Sequence, residues 1–187
     1  ATEAPALVTV LDETTESRIV TLKCVELVDP TQWTNSTPFF VVDVTTGTGS
    51  VQMRIDANTD IFGTEPPQGV FGVTGIADQR DFDEPFNDGY RISPRNLADI
   101  SEPVNAFFAL PSPWNPNDGP LGITNLSEGA SSYFWSFGNG DNSQEANPIY
   151  SYPEDGVYTI ILSATSLDGN CSDQHIAEVE VVTVSVE

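Results

Sequence analysis

A Ser–His–Asp or Cys–His catalytic set needs its imidazole beside a nucleophile. The one histidine of the chain, His175, lies in a Ser172-Asp173-Gln174 context at the head of the last apolar run, with no such partner nearby in the sequence. A Cys/His metal site takes about four close ligands, and Cys24, Cys171 and His175 are the only residues of those types. The two cysteines lie far apart in the sequence, open either to one disulfide or to two separate buried thiols. The 28 Asp and Glu place carboxylates near one another throughout, so no pair stands out for glycoside hydrolysis. Gly47-Thr48-Gly49 is followed by neither a Lys nor a helix pattern and reads as a hairpin turn, not a phosphate loop. No enzyme is expected.

Three groups of residues retain binding chemistry. Asp81, Asp83 and Asp88 sit in one oxygen-rich loop (81–89), the ligand type that calcium takes, although the spacing is not that of an EF-hand and a solvated acidic loop competes. Calcium is thus the one cofactor considered. Arg54, Arg91 and Arg95 offer a local cationic strip for a single-stranded nucleic acid, with ion pairing to neighbours such as Asp56 and Asp99 as the competing reading. Trp33 and Trp114 stand beside Pro and Asn in loop-like segments, where an indole either stacks on a sugar or protein partner or packs beneath its own loop.

Charge narrows the partners. The formal net charge is −22, from 28 acids against six bases. All six bases precede residue 96, and residues 104–187 hold 11 acids and no Lys or Arg. Such a field repels phosphate backbones and anionic lipid surfaces. Nucleic acid is therefore not an expected partner of the whole. No apolar run approaches the roughly 20 residues of a membrane helix, so no membrane insertion is expected. The chain begins at Ala1, which reads as a mature or excised fragment with its targeting sequence elsewhere.

The elements that must position these groups are strands. Short β-branched and aromatic runs alternate with Gly, Pro, Asn and Asp clusters, and helical periodicity is nearly absent. After an acidic, Thr-rich lead-in (1–16), strands are expected at 18–28, 39–45 (Phe40, Val42 and Val44 on one face), 51–55, 70–77 and 90–93, with a turn or short helical piece at 57–68. Leu97 and Ile100 close this unit, and Ser101-Glu102-Pro103 marks its end. Six or seven further strands crowd into residues 107–186. The expected fold is all-β: an OB-like five-stranded barrel domain (1–103), then an immunoglobulin-like β-sandwich domain (104–187).

Tyr133-Phe134-Trp135-Ser136-Phe137-Gly138-Asn139-Gly140 is followed by Ser143, Asn147-Pro148, Tyr150, Tyr152 and Gly156-Val157-Tyr158-Thr159-Ile160. This series resembles the PKD (polycystic-kidney-disease-type) domain over residues 106–187. Trp135 is placed to fill an inter-sheet core, Gly138 and Gly140 to allow positive φ, and Tyr158 to bond back to the backbone as a corner tyrosine. Ser136 and Asn139 stand at two positions where the family carries Asp. They can cap the turn but disfavour a cation there. The resemblance implies a non-catalytic module of a secreted, multi-domain protein.

Residues 18–100 resemble OB-fold-like accessory modules of secreted bacterial proteins through Asp29-Pro30-Thr31-Gln32-Trp33, Met53-Arg54-Ile55-Asp56, Gly72-Val73-Thr74-Gly75-Ile76 and Gly89-Tyr90-Arg91-Ile92 with Pro94-Arg95-Asn96-Leu97. Together the two resemblances imply an extracellular or cell-surface pair serving adhesion, display or spacing. Its expected partners are other domains of the same larger protein, with polysaccharide or surface protein as further contacts. The alternative is a nucleic-acid-binding accessory of an extracellular nuclease.

Overall fold

Period-two alternation builds the first long strand, whose Val20, Leu22, Val25 and Leu27 all point inward and are buried. In the computed structural model, which describes residues 4–46, 49–82, 84–85 and 88–184, every regular element is a strand or a one-turn 3-10 segment. Among these residues no helix is long and apolar enough to cross a membrane. The chain forms two compact units, Ala1–Pro103 and Val104–Glu187.

The first unit holds β1 (Ala6–Val8), β2 (Ile19–Leu27), β3 (Phe39–Thr45), β4 (Ser50–Asp56), β5 (Phe71–Gln79) and β6 (Tyr90–Ser93). Their order is β1-β2-β3-β4-β6-β5, and β5 returns to pair with β2, so five strands close into a barrel. Neighbours are antiparallel except β4–β6 and β1–β2. Closure depends on a bulge in β2. Ile19–Leu22 pair with β5, the register shifts between Leu22 and Val25, and Glu26 and Leu27 pair with β3. Cys24 sits in that bulge at φ +55°. Such a bulge bends a strand sharply enough for one end to serve each side of a barrel. Gly75 permits close packing of β5 against β6, since a Cβ there would lie 2.6 Å from the Ser93 carbonyl oxygen.

The barrel interior collects Phe40, Val42 and Val44 from β3 with Met53 and Ile55 from β4, as the alternation predicts, joined by Phe71, Val73 and Ile92. Residues 57–68 form successive turns, with Thr59, Phe62 and Thr64 donating to the Asp56, Thr59 and Ile61 carbonyls. From them Ile61 drops into the core. The lead-in contributes β1 and the buried Leu11. At the expected Gly47–Gly49 turn, Gly47 and Thr48 lie outside the described residues, while Thr46 donates to the Gly49 carbonyl at 2.8 Å.

The second unit is a sandwich. One layer is the sheet β11-β10-β13-β14, from β10 (Ala130–Ser136), β11 (Asn142–Ser143), β13 (Gly156–Ser166) and β14 (Ser172–Val181). The other comprises the short pairs β7 (Phe108–Ala109) with β9 (Thr124–Asn125) and β8 (Leu121–Gly122) with β12 (Ile149–Tyr150). Trp135 fills the space between layers. It is fully buried, its indole N–H donates to the Glu145 carbonyl at 2.9 Å, and Phe108 meets it edge-on at 5.2 Å. Truncation of a core Trp typically costs ~3–5 kcal/mol. Neither cysteine remains a free thiol: Cys24 and Cys171 are both disulfide-bonded, which rules out the pair of separate thiols.

Candidate functional site

Arg54, Arg91 and Arg95 lie on or beside the outer face of β4 and β6, and each is matched by a carboxylate. Arg54, half-buried on β4, donates to Asp56 at 3.2 Å and lies 4.3 Å over the Phe39 ring. Arg91 on β6 grips Asp78 of β5 with two nitrogens, Nη2 reaching Oδ2 at 3.1 Å. The register that sets Asp78 opposite Arg91 fixes this pair. Arg95 makes a fork onto Asp99, 2.8 Å from Nε and 2.7 Å from Nη2, while its backbone N–H donates to the same carboxylate at 2.9 Å. That fork holds Asp99 below the usual carboxylate range against the opposing effect of burial. The cations therefore enter three separate pairs instead of a shared strip.

Trp33 and Trp114 both turn their rings inward. Trp33 is 7% exposed. It donates from its indole N–H to the Thr64 carbonyl at 2.9 Å and meets Phe40 edge-on at 5.3 Å. Its rim forms part of an apolar hollow of about 300 Å³ with Pro67, Leu97 and Ile100. Trp114 is 6% exposed, stands edge-on to Tyr152, and joins the end of β14 through backbone bonds to Glu180 and Val182. In the acidic loop, the Asp88 N–H donates to the Asp81 carboxylate at 3.4 Å, and Asp83 lies outside the described residues. Among the described residues no cluster of three or more His, Cys, Asp or Glu side chains is arranged to hold a metal ion.

The Gly138–Asp141 turn has a structural task. Asn139 accepts from the Asp141 N–H at 3.2 Å, then donates from its amide to the Tyr150 hydroxyl at 2.7 Å, and that hydroxyl donates to Asp141. The Tyr150 ring stacks on Phe137 at 4.1 Å, with 6° between planes. Burial first, and then Asp141, push the Tyr150 phenol up. Asp141, one place beyond the motif glycine, supplies a carboxylate that comparison of the Ser136 and Asn139 positions does not find. Tyr158 bonds back to the Glu154 carbonyl at 3.1 Å, the corner arrangement expected for it.

The outer face of β10, β13 and β14 is different in kind. Cross-strand register sets Phe134 beside Ser163 and Ser163 beside Gln174, with Ser136, Ile161 and Ile176 in the adjoining row. Phe134 is 44% exposed. Alternation around Trp135 contained this signal, since a residue next to an inward Trp on a strand must face outward.

Residues 122–181 match the PKD domain. Over 52 residues the chain is 44% identical to the pre-pro-metalloprotease PrtV of Vibrio cholerae, in strains M66-2 and El Tor Inaba N16961; the match takes in 28% of this chain and only 6% of that protein. Solved structures similar to it include the PKD1 domain of V. cholerae PrtV (34% identity, 43% of this chain, 98% of that chain, TM-score 0.38). Another is the PKD1 domain of Vibrio anguillarum Epp (29% identity, 43% and 95%, TM-score 0.39). Through its second unit, the chain belongs to the PKD-domain family.

Proposed function

We propose that the chain is a two-domain region (1–103 and 104–187) of a larger secreted bacterial protein, where it serves adhesion, display or spacing. The observation that carries this reading is the engagement of the chemistry-bearing side chains in architecture. Arg54, Arg91 and Arg95 are consumed by carboxylates, and Trp33 and Trp114 are buried. A PKD domain is a non-catalytic module, and the match to a metalloprotease over 6% of its length supports an accessory part. The pairing of all three arginines also weighs against the nuclease-accessory alternative, because ion-paired guanidinium groups release few counterions on meeting a phosphate backbone.

The test uses the chain itself. Casein, plasmid DNA and aryl glycosides are expected to stay intact on incubation; turnover of any of them overturns the non-catalytic reading. Single-stranded DNA is expected not to bind at moderate salt. Binding that Arg91→Ala with Arg95→Ala abolishes moves the first domain to the nuclease-accessory function.

A further inference from the structure

Resting on the adhesion reading above, we infer that the outer face of β10, β13 and β14 in the PKD unit binds a neutral polysaccharide, with Phe134 as its stacking platform. Beside Phe134 runs a groove of about 450 Å³ lined by Ser131, Ser132, Tyr133, Gln144, Ala146 and Thr165. Its walls hold three aliphatic hydroxyls and one amide, and no ionisable side chain apart from the Tyr133 phenol, which is turned away to bond the Ala130 carbonyl at 3.4 Å. Among the described residues no hydrogen bond engages the side chains of Ser131, Ser132, Gln144 or Thr165, so their donors and acceptors are open to a ligand.

Charge selects the occupant. Residues 104–187 carry 11 acids and no Lys or Arg, so polyanions are repelled from the whole unit. On this face the acids Glu178 and Glu180 stand at one end, opposite Thr159 and Val157, away from Phe134. A basic partner would find its complement there and none in the groove. A half-exposed ring flanked by hydroxyl and amide groups matches a ligand that is apolar on one ring face and hydroxylated at its edges, without charge. A neutral sugar polymer has that chemistry. The flat outer surface of a sheet, continuing from Phe134 to Ile161 and Ile176, accommodates a chain and not only its end.

The experiment is affinity electrophoresis of the full chain in native gels cast with hydroxyethyl cellulose, laminarin, soluble starch or galactomannan, with alginate as the anionic control. At least one neutral polymer is expected to retard the chain, and alginate is not. Phe134→Ala is expected to weaken that retardation tenfold or more with the melting temperature unchanged, because the ring is half exposed. Ser132→Ala with Thr165→Ala is expected to weaken it several-fold. Ile149→Ala, on an exposed residue of the other layer, is expected to leave it intact. Retardation by a neutral polymer that survives Phe134→Ala overturns this face while leaving the contact function standing. Retardation by alginate alone overturns the neutral ligand, and blank gels throughout overturn polysaccharide binding and leave spacing as the function.

Discussion

The Tyr152 hydroxyl donates to the Phe137 carbonyl across 2.9 Å inside the second unit, while its ring stacks on Tyr158 at 4.1 Å. One side chain thereby ties the strand that precedes the Gly138 turn to the segment that leads into β13. Burial, then the neighbouring Tyr150 and Tyr158, push the Tyr152 phenol well above its ordinary range. Tyr152→Phe keeps the ring and leaves the carbonyl unpaired. A loss of about 1–3 kcal/mol is expected for a buried group so orphaned, read from the denaturant midpoint.

Gly138→Ala tests the turn. Gly138 has φ +81°, and a Cβ there would lie 2.6 Å from the Thr159 carbonyl oxygen, on the rigid backbone of β13. Left-handed strain in a non-glycine residue costs ~1–3 kcal/mol, and the clash adds to it. Gly140→Ala shares the positive φ but meets nothing within 4 Å. The first variant is expected to melt several degrees below the second; equal melting temperatures would remove the close approach from the account.

Asp99 sets an acid limit on the first unit. Its folded pKa is depressed, first by the Arg95 hydrogen bonds. It therefore contributes stability that is complete above the ordinary carboxylate value of about 4 and is lost as pH falls through the lower folded value. Asp99→Asn is expected to lower stability by about 1–3 kcal/mol at neutral pH, since the buried position keeps one polar partner but loses a charge-assisted fork. Its stability is also expected to fall less between pH 5 and pH 2 than that of the unmodified chain, as followed by urea melts.

Tyr90 sets the alkaline limit. Its hydroxyl donates to Glu13 at 2.6 Å, and this bond, followed by burial and the nearby acids, pushes the phenol up to about 12. A folded value raised above the ordinary one of about 10 gives stability that is present below pH 10 and is lost as pH climbs through 12. Absorbance titration at alkaline pH is expected to show Tyr90 ionising late, and Glu13→Gln to return it toward its ordinary value. An unmoved titration would remove Glu13 as the cause.

Where side-chain period and burial agree, the fold was legible. Phe40, Val42 and Val44 marked β3 to the residue, and Tyr90–Ser93 marked β6. The front of β14 was hidden because Ser172–His175 carry no apolar alternation; pairing with residues 162–165 of β13 makes them a strand. The Arg95–Asp99 pair is local and its spacing announces it, whereas Arg91–Asp78 requires the register of two strands. Trp33 and Trp114 illustrate a general ambiguity: Pro and Asn neighbours report a loop backbone and say nothing of where the ring goes. The bulge at Cys24 left no mark in composition, because it is the demand of barrel closure that places a non-glycine residue at positive φ.

That bulge also divides β2 between a partner close in sequence and one far from it. β3 and β4 meet through a short hairpin, but the front half of β2 must find β5, and the Thr21–Thr74 hydroxyl contact spans 53 positions. Because loop closure over such a distance is unfavourable until its contacts are made, chains dominated by non-local pairing fold slowly. The β3–β4 hairpin is therefore expected to form before the β2–β5 seam, a sequence that pulsed hydrogen exchange during refolding would read.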